Sequence, residues 1–577
     1  MDASKQCGIC SGRLELRHPG SHSEASGASF SPTNHRPGEH GDLFACLECG
    51  TVQQPSLPAG GELHELYREM RDDAYLSEQA GRRTTAGRLL DLVAAHVPAG
   101  RLLDVGCGHG LLLDEARRRG YDVRGLELAA DAAAYARDVL GLEVDEETLD
   151  EFVESAGGEQ FNAIVLADVI EHLDDPSAAL DRCVELLAPE GVLCVVTPDP
   201  SSLTARVAGA RWWGYVPAHT YLLPRRTLLE LVSARGLVVS SDVPLVRSFS
   251  LGYWLAGLAE RGGSLGSIVQ AVGRSPLGRR SLSMSLGDER VVLAHRVPPI
   301  PAPTPIMSDR GLETKVHVVL PAYGAAATIP AVAQEIPVSA ADRALLVDDA
   351  SPDETSAVAL RHGFDVLRHP ANRGYGANQK TCYVRAALDG ADIVVMVHAD
   401  NQYDPALVAD MVEPIARGEA DVVIGSRLLR DETMAGGMPR WKWVGNRFLT
   451  AIENLAFRRS FSEYHTGYRA FSVPFLRSIA FLRNSDEFVF DQEIFAQIVA
   501  SGARVKELPI PTRYFLEASS VSFWTSVRYG LRTLTVVARF RLDERRHRWP
   551  LLRAPAARLQ APASSDRPSA PASVLEG

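Results

Sequence analysis

A proline-rich segment divides this chain into two stretches in which apolar strands and amphipathic helices alternate. The segment reads PPIPAPTPIMSDRG and covers residues 298–311. Such a density of proline is typical of a semi-rigid linker between domains. Strands and helices alternate from Arg101 to about Val243 before it, and from Lys315 to about Tyr514 after it. Alternation of this kind predicts two α/β domains, each with a mainly parallel sheet and crossover helices.

The overall composition is that of an ordinary soluble protein. The chain has 577 residues, of which 46% are hydrophobic and 23% charged, and its net charge is -12. This balance gives no reason to expect nucleic acid as a partner. We find neither a basic start followed by an apolar run nor an uncharged apolar stretch of the roughly 18–20 residues that a membrane span requires. We therefore expect a cytoplasmic protein.

Four of the eight cysteines form two CxxC pairs near the N-terminus. They are Cys7 with Cys10 and Cys46 with Cys49. Two such knuckles can supply a closed tetrahedral shell of four thiolates, which is typical of a structural Zn²⁺ site. Unligated surface thiols are the alternative, because the spacing between the pairs exceeds the commonest zinc spacings.

A glycine-rich turn follows the first strand of the first α/β stretch. The sequence RLLDVGCGHG (101–110) predicts a buried strand, a turn with three glycines, and then a helix. A second strand ends at Glu127, where a carboxylate can bind both hydroxyls of a ribose. A third ends at Asp168, and its end faces the same crevice. This arrangement predicts a site for a ligand that contains a nucleoside.

The stretches LLDVGCGHG, GLEL, FNAIVLADVIEHLDDP and LLAPEGVLCVVTPDP resemble those of the class I S-adenosylmethionine-dependent methyltransferases. The resemblance covers about residues 101–200, and the combination of a strand, IEHL, an amphipathic helix and Pro-Glu-Gly is its most specific part. It implies that S-adenosylmethionine is the cofactor. It also implies that Asp168 lies near the sulfonium and that four residues line the cofactor: Asp104, Gly106, Gly108 and Glu127.

Two histidines are candidate general bases for methyl transfer. His172 belongs to the IEHL stretch, and His219 ends the aromatic segment WWGYVPAH (212–219), which we expect to line an acceptor pocket. Methyl transfer relies largely on positioning, so the alternative is that no dedicated base exists. The pairing of a zinc ribbon with such a domain resembles enzymes that methylate sugars or small metabolites.

The second α/β stretch places acidic residues at the ends of two strands. The strand 344–348 leads into Asp349, and the strand 392–397 leads into HADNQY (398–403). Oxygen ligands just beyond a strand end can hold Mg²⁺ or Mn²⁺ against a diphosphate. We therefore predict that the oxygens of Asp349, Asp400 and Gln402 converge around one cation.

The motifs of this stretch resemble those of the family 2 glycosyltransferases with the GT-A fold, especially the dolichyl-phosphate mannosyltransferase branch. They are VVLPAY, LLVDDASPDET, NRGYGAN, HADNQYDP, GSR, HTGYRAFS and FVFDQE, in the order of the family. The resemblance implies inverting transfer from a nucleotide-sugar to a saccharide or lipid-phosphate acceptor. It implies that Asp400 and Gln402 hold the metal. It further implies that the nucleotide or a phosphate is contacted by Pro321, Tyr323, Asp349, Arg427 and Arg469.

Two residues leave alternatives open. His398 stands where many relatives have the first aspartate of a DxD pattern, so either it ligates the ion or that ligand is absent. Asp491 in FVFDQE is either a helix-start cap or a base that deprotonates an acceptor hydroxyl. An acceptor phosphate would need no base.

The segment 522–541 combines aromatic residues with arginines. Such a helix can lie in a headgroup interface and place the chain peripherally on the inner membrane face, or it can pack on its own domain.

We predict six regions. They are a zinc ribbon (1–55), a methyltransferase domain (62–297), a linker (298–312), a glycosyltransferase domain (315–515), an amphipathic segment (516–550) and a disordered tail (554–577). The leading hypothesis is a bifunctional transferase. In the alternatives only one half is active, or the ribbon is a protein-docking module.

Overall fold

The structure of the chain is a computed structural model. It describes residues 6–20, 38–72, 75–259, 275, 277–306, 314–429, 440–511, 523–543 and 549–557. Most of the expected tail, and the middle of the insertion between the cysteine pairs, lie outside these ranges. The chain forms two compact units, one of residues 1–232 and 237–296 and the other of 233–236 and 297–577.

The first unit contains a long mixed sheet with helices on both sides. Its strands are β1 (Leu14–His18), β2 (Leu43–Cys46), β3 (Val52–Gln53), β4 (Arg101–Val105), β5 (Asp122–Leu126), β6 (Val144–Asp145), β7 (Phe161–Ala167), β8 (Leu187–Pro198), β9 (Tyr221–Leu222), β10 (Leu237–Pro244), β11 (Arg247–Ser250), β12 (Ser281–Met284) and β13 (Glu289–Arg296). Its helices are α1 (Gly61–Arg68), α2 (Gln79–Ala94), α3 (Leu111–Arg118), α4 (Ala130–Ala134), α5 (Leu149–Ser155), α6 (Pro176–Leu186), α7 (Leu203–Ala208), α8 (Arg225–Ala234) and α9 (Leu251–Ala259).

Seven of these strands form the main sheet in the order β10-β13-β8-β7-β4-β5-β6. β13 runs antiparallel to both of its neighbours, and the strands from β8 to β6 are parallel. The central strands are apolar and buried because helices cover both faces. The carboxyl ends of β4, β5 and β7 therefore meet at one edge, where ligands bind in open α/β sheets.

A smaller sheet carries the cysteine pairs. Its order is β1-β2-β3-β9, with antiparallel pairing throughout. The last strand, β9, comes from the α/β part of the chain about 170 residues after β3. The ribbon is therefore continuous with the α/β domain through backbone hydrogen bonds.

The second unit contains another seven-stranded mixed sheet. Its strands are β14 (Val316–Ala322), β15 (Arg343–Asp348), β16 (Asp365–Arg368), β17 (Ile393–Met396), β18 (Val422–Ser426), β19 (Arg469–Ser472) and β20 (Val505–Pro509). Its helices are α10 (Ile329–Glu335), α11 (Thr355–Arg361), α12 (Tyr375–Leu388), α13 (Val408–Ala416), α14 (Arg440–Phe457), α15 (Val473–Ser478), α16 (Phe490–Ser501) and α17 (Phe523–Asp543).

The order of this sheet is β16-β15-β14-β17-β19-β18-β20, and β19 is the reversed strand. Separate hydrophobic clusters cover its two faces. The prediction of two α/β domains, each with a mainly parallel sheet, is confirmed. Within the described residues, no helix is both long enough and apolar enough to cross a membrane.

Candidate functional site

The loop after β15 is organised by Asp348. This carboxylate is fully buried, and it accepts hydrogen bonds from the Ser351 amide at 2.9 Å and the Arg368 guanidinium at 2.6 Å. Farther along the same loop, Ser351 and Thr355 accept bonds from the backbone amides of the loop after β14, which follows Tyr323. The motif DDASPDET thus ties two strand ends into one rigid edge.

Asp349 turns its carboxylate toward the loop 369–374. Its Oδ1 lies 2.7 Å from His369 Nδ1 and accepts from the Arg373 amide at 2.9 Å, while Oδ2 accepts from the Gly374 amide at 2.9 Å. Both oxygens accept hydrogen bonds in a buried site, and Oδ2 keeps a lone pair beside its bond from Gly374. The convergence of Asp349 with Asp400 around one cation stays a prediction, as does the contact of Asp349 with a nucleotide.

Asp400 and Gln402 lie just beyond the end of β17, and both are half-buried. Asp400 Oδ1 accepts from the Gln402 amide at 3.1 Å, which fixes the turn between them. Asn401, the residue between them, has a positive φ of 56°. The turn leaves the side chains of Asp400 and Gln402 at the carboxyl edge of the sheet, with the oxygen donors that suit Mg²⁺ or Mn²⁺.

His398 lies in the wall beside this turn. Its Nε2 is 3.4 Å from Tyr375 Oη, and a Cβ at Gly467 would come within 2.0 Å of that nitrogen. Burial lowers the pKa of His398, against the opposing charges of Asp400 and Asp491, which favours the neutral imidazole. Because Nε2 is covered, Nδ1 is the nitrogen through which His398 could bind an ion.

Asp491 lies in the first turn of α16, and its carboxylate does not cap that helix. Oδ1 accepts from Arg469 at 3.0 Å and from Gln379 at 3.1 Å, and Oδ2 accepts from Tyr375 Oη at 3.2 Å. The alternative of a helix-start cap is therefore wrong. The structure gives Asp491 a fixed orientation instead, and its role as a base stays a prediction.

The two arginines expected at a phosphate are both engaged inside the protein. Arg469 is fully buried, paired with Asp491 and stacked over the Phe495 ring at 4.7 Å. Arg427 donates through Nε to the buried Glu463 at 2.8 Å. Both guanidiniums are paired with carboxylates, and their contacts with a phosphate stay predictions.

Pro321 and Tyr323 occupy the end of β14, at the same edge as Asp348 and Asp349. Pro321 is partly buried, whereas Tyr323 is 58% exposed. An exposed aromatic ring at a strand edge is available for stacking on a base, as the sequence predicts for a nucleotide site.

In the first unit, the glycine-rich turn lies against Glu127. The three glycines 106, 108 and 110 have positive φ values of 68°, 54° and 74°. Glu127 is buried, and its carboxylate accepts from the Gly108 amide at 2.7 Å and the Ala129 amide at 2.8 Å. The Gly108 position is open, because an added Cβ would meet its nearest atom only at 3.8 Å. The turn and Glu127 thus lie together, and their binding of a nucleoside stays a prediction.

Asp104 lies at the end of β4 beside this cradle and is 3% exposed. Burial, together with the charge of Glu127, raises the pKa of Asp104 to about 8. Burial also raises the pKa of Glu127, although its backbone hydrogen bonds oppose the shift. The raised pKa values favour the protonated, neutral form of these two neighbouring carboxyls in the ligand-free protein.

Asp168 lies beyond β7 with a positive φ of 60°. Its Oδ2 accepts from Arg247 Nη2 at 2.6 Å, and Arg247 also donates through Nε to Glu289 at 2.6 Å. Asp168 is thus fixed at the same sheet edge as Asp104, where the sequence predicts the sulfonium.

His172 and His219 lie side by side, with ring centroids 4.7 Å apart. The expectation for the aromatic segment 212–219 is only partly correct, because Trp212 and Tyr215 are buried in a core with residues of the ribbon. His219 remains at the end of the segment, next to His172. The structure therefore brings the two predicted bases together.

The four cysteines form one cluster, and all four Sγ atoms lie within 4.8 Å of one another. The Cys7–Cys49 and Cys10–Cys46 separations are 3.7 and 3.4 Å. Bonds of about 2.3 Å in a tetrahedral shell place sulfurs about 3.8 Å apart. The donor set and spacing therefore fit Zn²⁺.

The helix α17 packs one face on its own domain. Val536, Val537 and Phe540 are buried, and the Phe540 ring meets Phe457 at 4.8 Å. Leu531 is exposed on another face. The side chains of residues 522–527 lie outside the described part, so the membrane alternative stays a prediction.

Sequence reasoning missed several residues of both sites. His369, Gln379 and Glu463 hold predicted residues in place, and Glu171 lies beside the two histidines. Glu171 was visible in the IEHL motif. No local sequence pattern marks His369, Gln379 or Glu463, because the residues that they contact are distant in sequence.

Comparisons with known proteins match the two units separately. The model of the methyltransferase domain matches residues 77–241, and the model of glycosyl transferase family 2 matches residues 317–479.

Among curated proteins, the chain is 34% identical over 169 residues to the ubiquinone biosynthesis O-methyltransferase of Cereibacter sphaeroides, covering 26% of this chain and 67% of the relative. It is 31% identical over 220 residues to an uncharacterized protein of Methanocaldococcus jannaschii, covering 38% of this chain and 89% of the relative. A solved structure, glucosyl-3-phosphoglycerate synthase from Mycobacterium tuberculosis with Mn²⁺, UDP-glucose and phosphoglyceric acid, aligns with 19% identity and a TM-score of 0.33 over 40% of this chain and 80% of that one.

The folds and the family matches define a two-domain transferase. Its first α/β domain is a methyltransferase domain, and its second is a domain of glycosyl transferase family 2.

Proposed function

We propose that this chain is a bifunctional enzyme that transfers a sugar from a nucleoside diphosphate and methylates a sugar or another small acceptor. Sugar transfer is assigned to residues 315–515, and methyl transfer to residues 62–297. The observation that carries it is the pair of polar strand ends, Asp400 with Gln402 after β17 and Glu127 after β5. Each lies at the edge where ligands bind in its sheet.

Sugar transfer is proposed to be inverting and dependent on a divalent cation. The cation would supply positive charge against the departing diphosphate. Asp400 and Gln402 would hold it through oxygen, with His398 as a further ligand through Nδ1. Tyr323 is exposed to stack on the base of the nucleotide, and Pro321 and Asp349 would shape its pocket.

Asp491 is proposed as the base when the acceptor is a hydroxyl. Its Oδ2 accepts a single described hydrogen bond, from Tyr375, so it retains a lone pair for the acceptor proton. The acceptor oxygen would form a bond to the anomeric carbon as the bond to the diphosphate breaks, and the proton would pass to Asp491. A polyprenyl-phosphate acceptor is already anionic, and Asp491 would then act by positioning Arg469.

Methyl transfer is proposed to use S-adenosylmethionine, which supplies an electrophilic methyl group. Glu127 would bind the ribose hydroxyls, and the open Gly108 position lets the cofactor approach the backbone. The carboxyls of Asp104 and Asp168 lie at the edge where a sulfonium charge would be stabilised. Structural Zn²⁺ is proposed for the four cysteines.

The test separates the two activities on the full chain. Thermal unfolding would be followed with UDP-, GDP- and dTDP-sugars in the presence of Mn²⁺, and separately with S-adenosylmethionine, because a bound ligand raises the melting temperature. We expect Asp400→Asn to abolish the response to the sugar donor only, and Glu127→Ala to abolish the response to S-adenosylmethionine only. Failure of every donor with folded protein contradicts sugar transfer. Failure of S-adenosylmethionine alone supports a scaffold role for the first domain.

A further inference from the structure

The hydroxyl of Tyr529 reaches the turn that carries Asp491. Tyr529 lies in α17, which follows the predicted glycosyltransferase domain 315–515. Its Oη lies 3.1 Å from His465 Nδ1 and accepts a hydrogen bond from Gln492 Nε2. Gln492 directly follows Asp491 in the first turn of α16. A residue outside the predicted domain therefore contacts the turn of the candidate base.

His465 joins this contact to two other parts of the second unit. Its Nε2 lies 3.0 Å from Oε2 of Glu453, a fully buried residue of α14, and its carbonyl accepts from Arg427 Nη2 at 2.7 Å. The negative carboxylate favours a proton on Nε2, although these two atoms do not have the geometry of a hydrogen bond. In that tautomer Nδ1 can accept from the hydroxyl of Tyr529, while the oxygen of Tyr529 accepts from Gln492.

The packing of α17 does not depend on this hydroxyl. The buried side chains of Val536, Val537 and Phe540 join the hydrophobic core, beginning about two turns after Tyr529. Burial raises the pKa of Tyr529, as do the charges of Asp491 and Glu453. The phenol therefore keeps its proton and can donate it to His465. The polar contacts of Tyr529 are thus separate from the apolar anchor of the helix.

We propose that Tyr529 is a positioning residue for sugar transfer. Through His465 and Gln492 it holds the first turn of α16, and that turn fixes the direction of Asp491. The inference rests on the proposed function, in which Asp491 is the base, and it extends the catalytic unit beyond residue 515 to α17. A displacement of about 1 Å at a catalytic group can cost about 100-fold in rate, so a contact behind the base can control turnover.

Transfer to water tests the proposal without a known acceptor. The full chain would be given Mn²⁺ with UDP-glucose, GDP-mannose or dTDP-glucose, and release of the nucleoside diphosphate would be measured. We expect Tyr529→Phe to lower kcat at least about tenfold, because the base loses its fixed direction, while KM for the donor changes less than about twofold. Thr535→Val removes an exposed hydroxyl from the same helix and should behave as the unmodified chain.

A double variant distinguishes positioning from a general loss of packing. If Tyr529 acts through Gln492, then Gln492→Met should lower kcat by a similar factor. The variant with both substitutions should then lose little more than the larger of the two single losses. Losses that multiply in the double variant, or an unchanged kcat in Tyr529→Phe, would overturn the proposal.

Hydrogen exchange of the full chain tests the same contact without turnover. In Tyr529→Phe the backbone amides of residues 488–493 should exchange at least about tenfold faster, because the turn loses a contact that holds it. Thr535→Val should leave this exchange unchanged. Equal exchange in Tyr529→Phe and the unmodified chain would likewise refute the proposal. The melting-temperature response to nucleotide-sugars reports separately on the proposed function.

Discussion

Arg469 and Asp491 form an ion pair at the centre of the second domain, with Arg469 Nη1 3.0 Å from Asp491 Oδ1. The Arg469 side chain is 0% exposed, and its Nε and Nη2 have no hydrogen-bond partner among the described residues. The carboxylate of Asp491 is therefore the principal compensation for a buried guanidinium.

Removal of this carboxylate should destabilise the second domain strongly. We expect Asp491→Ala to lower the free energy of unfolding by about 3–5 kcal/mol, because it leaves a buried charge unpaired. The double variant Arg469→Met with Asp491→Leu should recover much of that loss, since neither charge remains. Chemical denaturation measures the free energy of unfolding of the single and the double variant. Equal stability of Asp491→Ala and the unmodified chain would contradict this account of the pair.

Substitution of Asp400 should stop sugar transfer without affecting the fold. We expect Asp400→Asn to reduce transfer at least about 100-fold, because the cation that neutralises the departing diphosphate loses a charged ligand. Asp410→Asn, at an exposed position in the first turn of α13, is the matched control and should transfer normally. Initial rates over a range of Mn²⁺ concentrations provide the measurement. A rate loss that high Mn²⁺ does not reduce at all would argue against a ligand role.

Loss of one cysteine of the cluster should release one zinc ion per chain. We expect Cys46→Ala to lower the melting temperature of the first unit by about 5–10 °C, which corresponds to about 3 kcal/mol in a domain of this size. Cys183→Ala, within α6, should keep the full zinc content. Elemental analysis measures the zinc content, and calorimetry measures the melting temperature. Unchanged zinc in Cys46→Ala would show that the cluster does not bind it.

The stability of the ligand-free first unit should fall as pH rises, because of Asp104. Burial raises the pKa of Asp104 from 3.8 to about 8, with a further contribution from the charge of Glu127. Between these values the unfolded chain has lost the proton and the folded chain retains it. Each pH unit in this window should therefore cost up to about 1.4 kcal/mol.

Asp104→Asn removes this titration, so its stability should decline less than that of the unmodified chain between pH 5 and 7.5. Asp138→Asn, at an exposed position, should follow the unmodified chain. Calorimetric unfolding at several pH values compares the three. Parallel curves for Asp104→Asn and the unmodified chain would contradict a raised pKa.

The sequence was sufficient to predict the strands, the glycine turn and the acidic strand ends. Apolar runs of four to seven residues form buried strands wherever helices cover both faces, and residues at the carboxyl ends of parallel strands share an edge. Glu127, Asp168 and Asp400 are placed by this rule alone. Each CxxC pair is a local turn, and the pairing of β1 with β2 brings the two turns together.

The remaining contacts of the candidate sites could not be predicted, because they join residues that are distant in sequence. The carboxylate of Asp349 accepts hydrogen bonds from amides of the loop 369–374, which no pattern around Asp349 indicates. The pairing of Arg427 with Glu463 and of Arg469 with Asp491 also joins residues that are distant in sequence. No local pattern specifies which carboxylate will reach a given guanidinium.

The pairing of β3 with β9 gives the small ribbon a structural role in the neighbouring α/β domain. Gln54, directly after β3, donates through Nε2 to the carbonyls of Val216 at 2.8 Å and His219 at 2.7 Å. Removal of the first 60 residues would leave the carbonyls of Val216 and His219 without the Gln54 donor. It would also leave β9 without the strand that pairs with it. The ribbon thus supports the backbone of the segment that carries His219. We expect oxidation of the four thiols, or removal of an ion bound to them, to displace this segment before the domain unfolds.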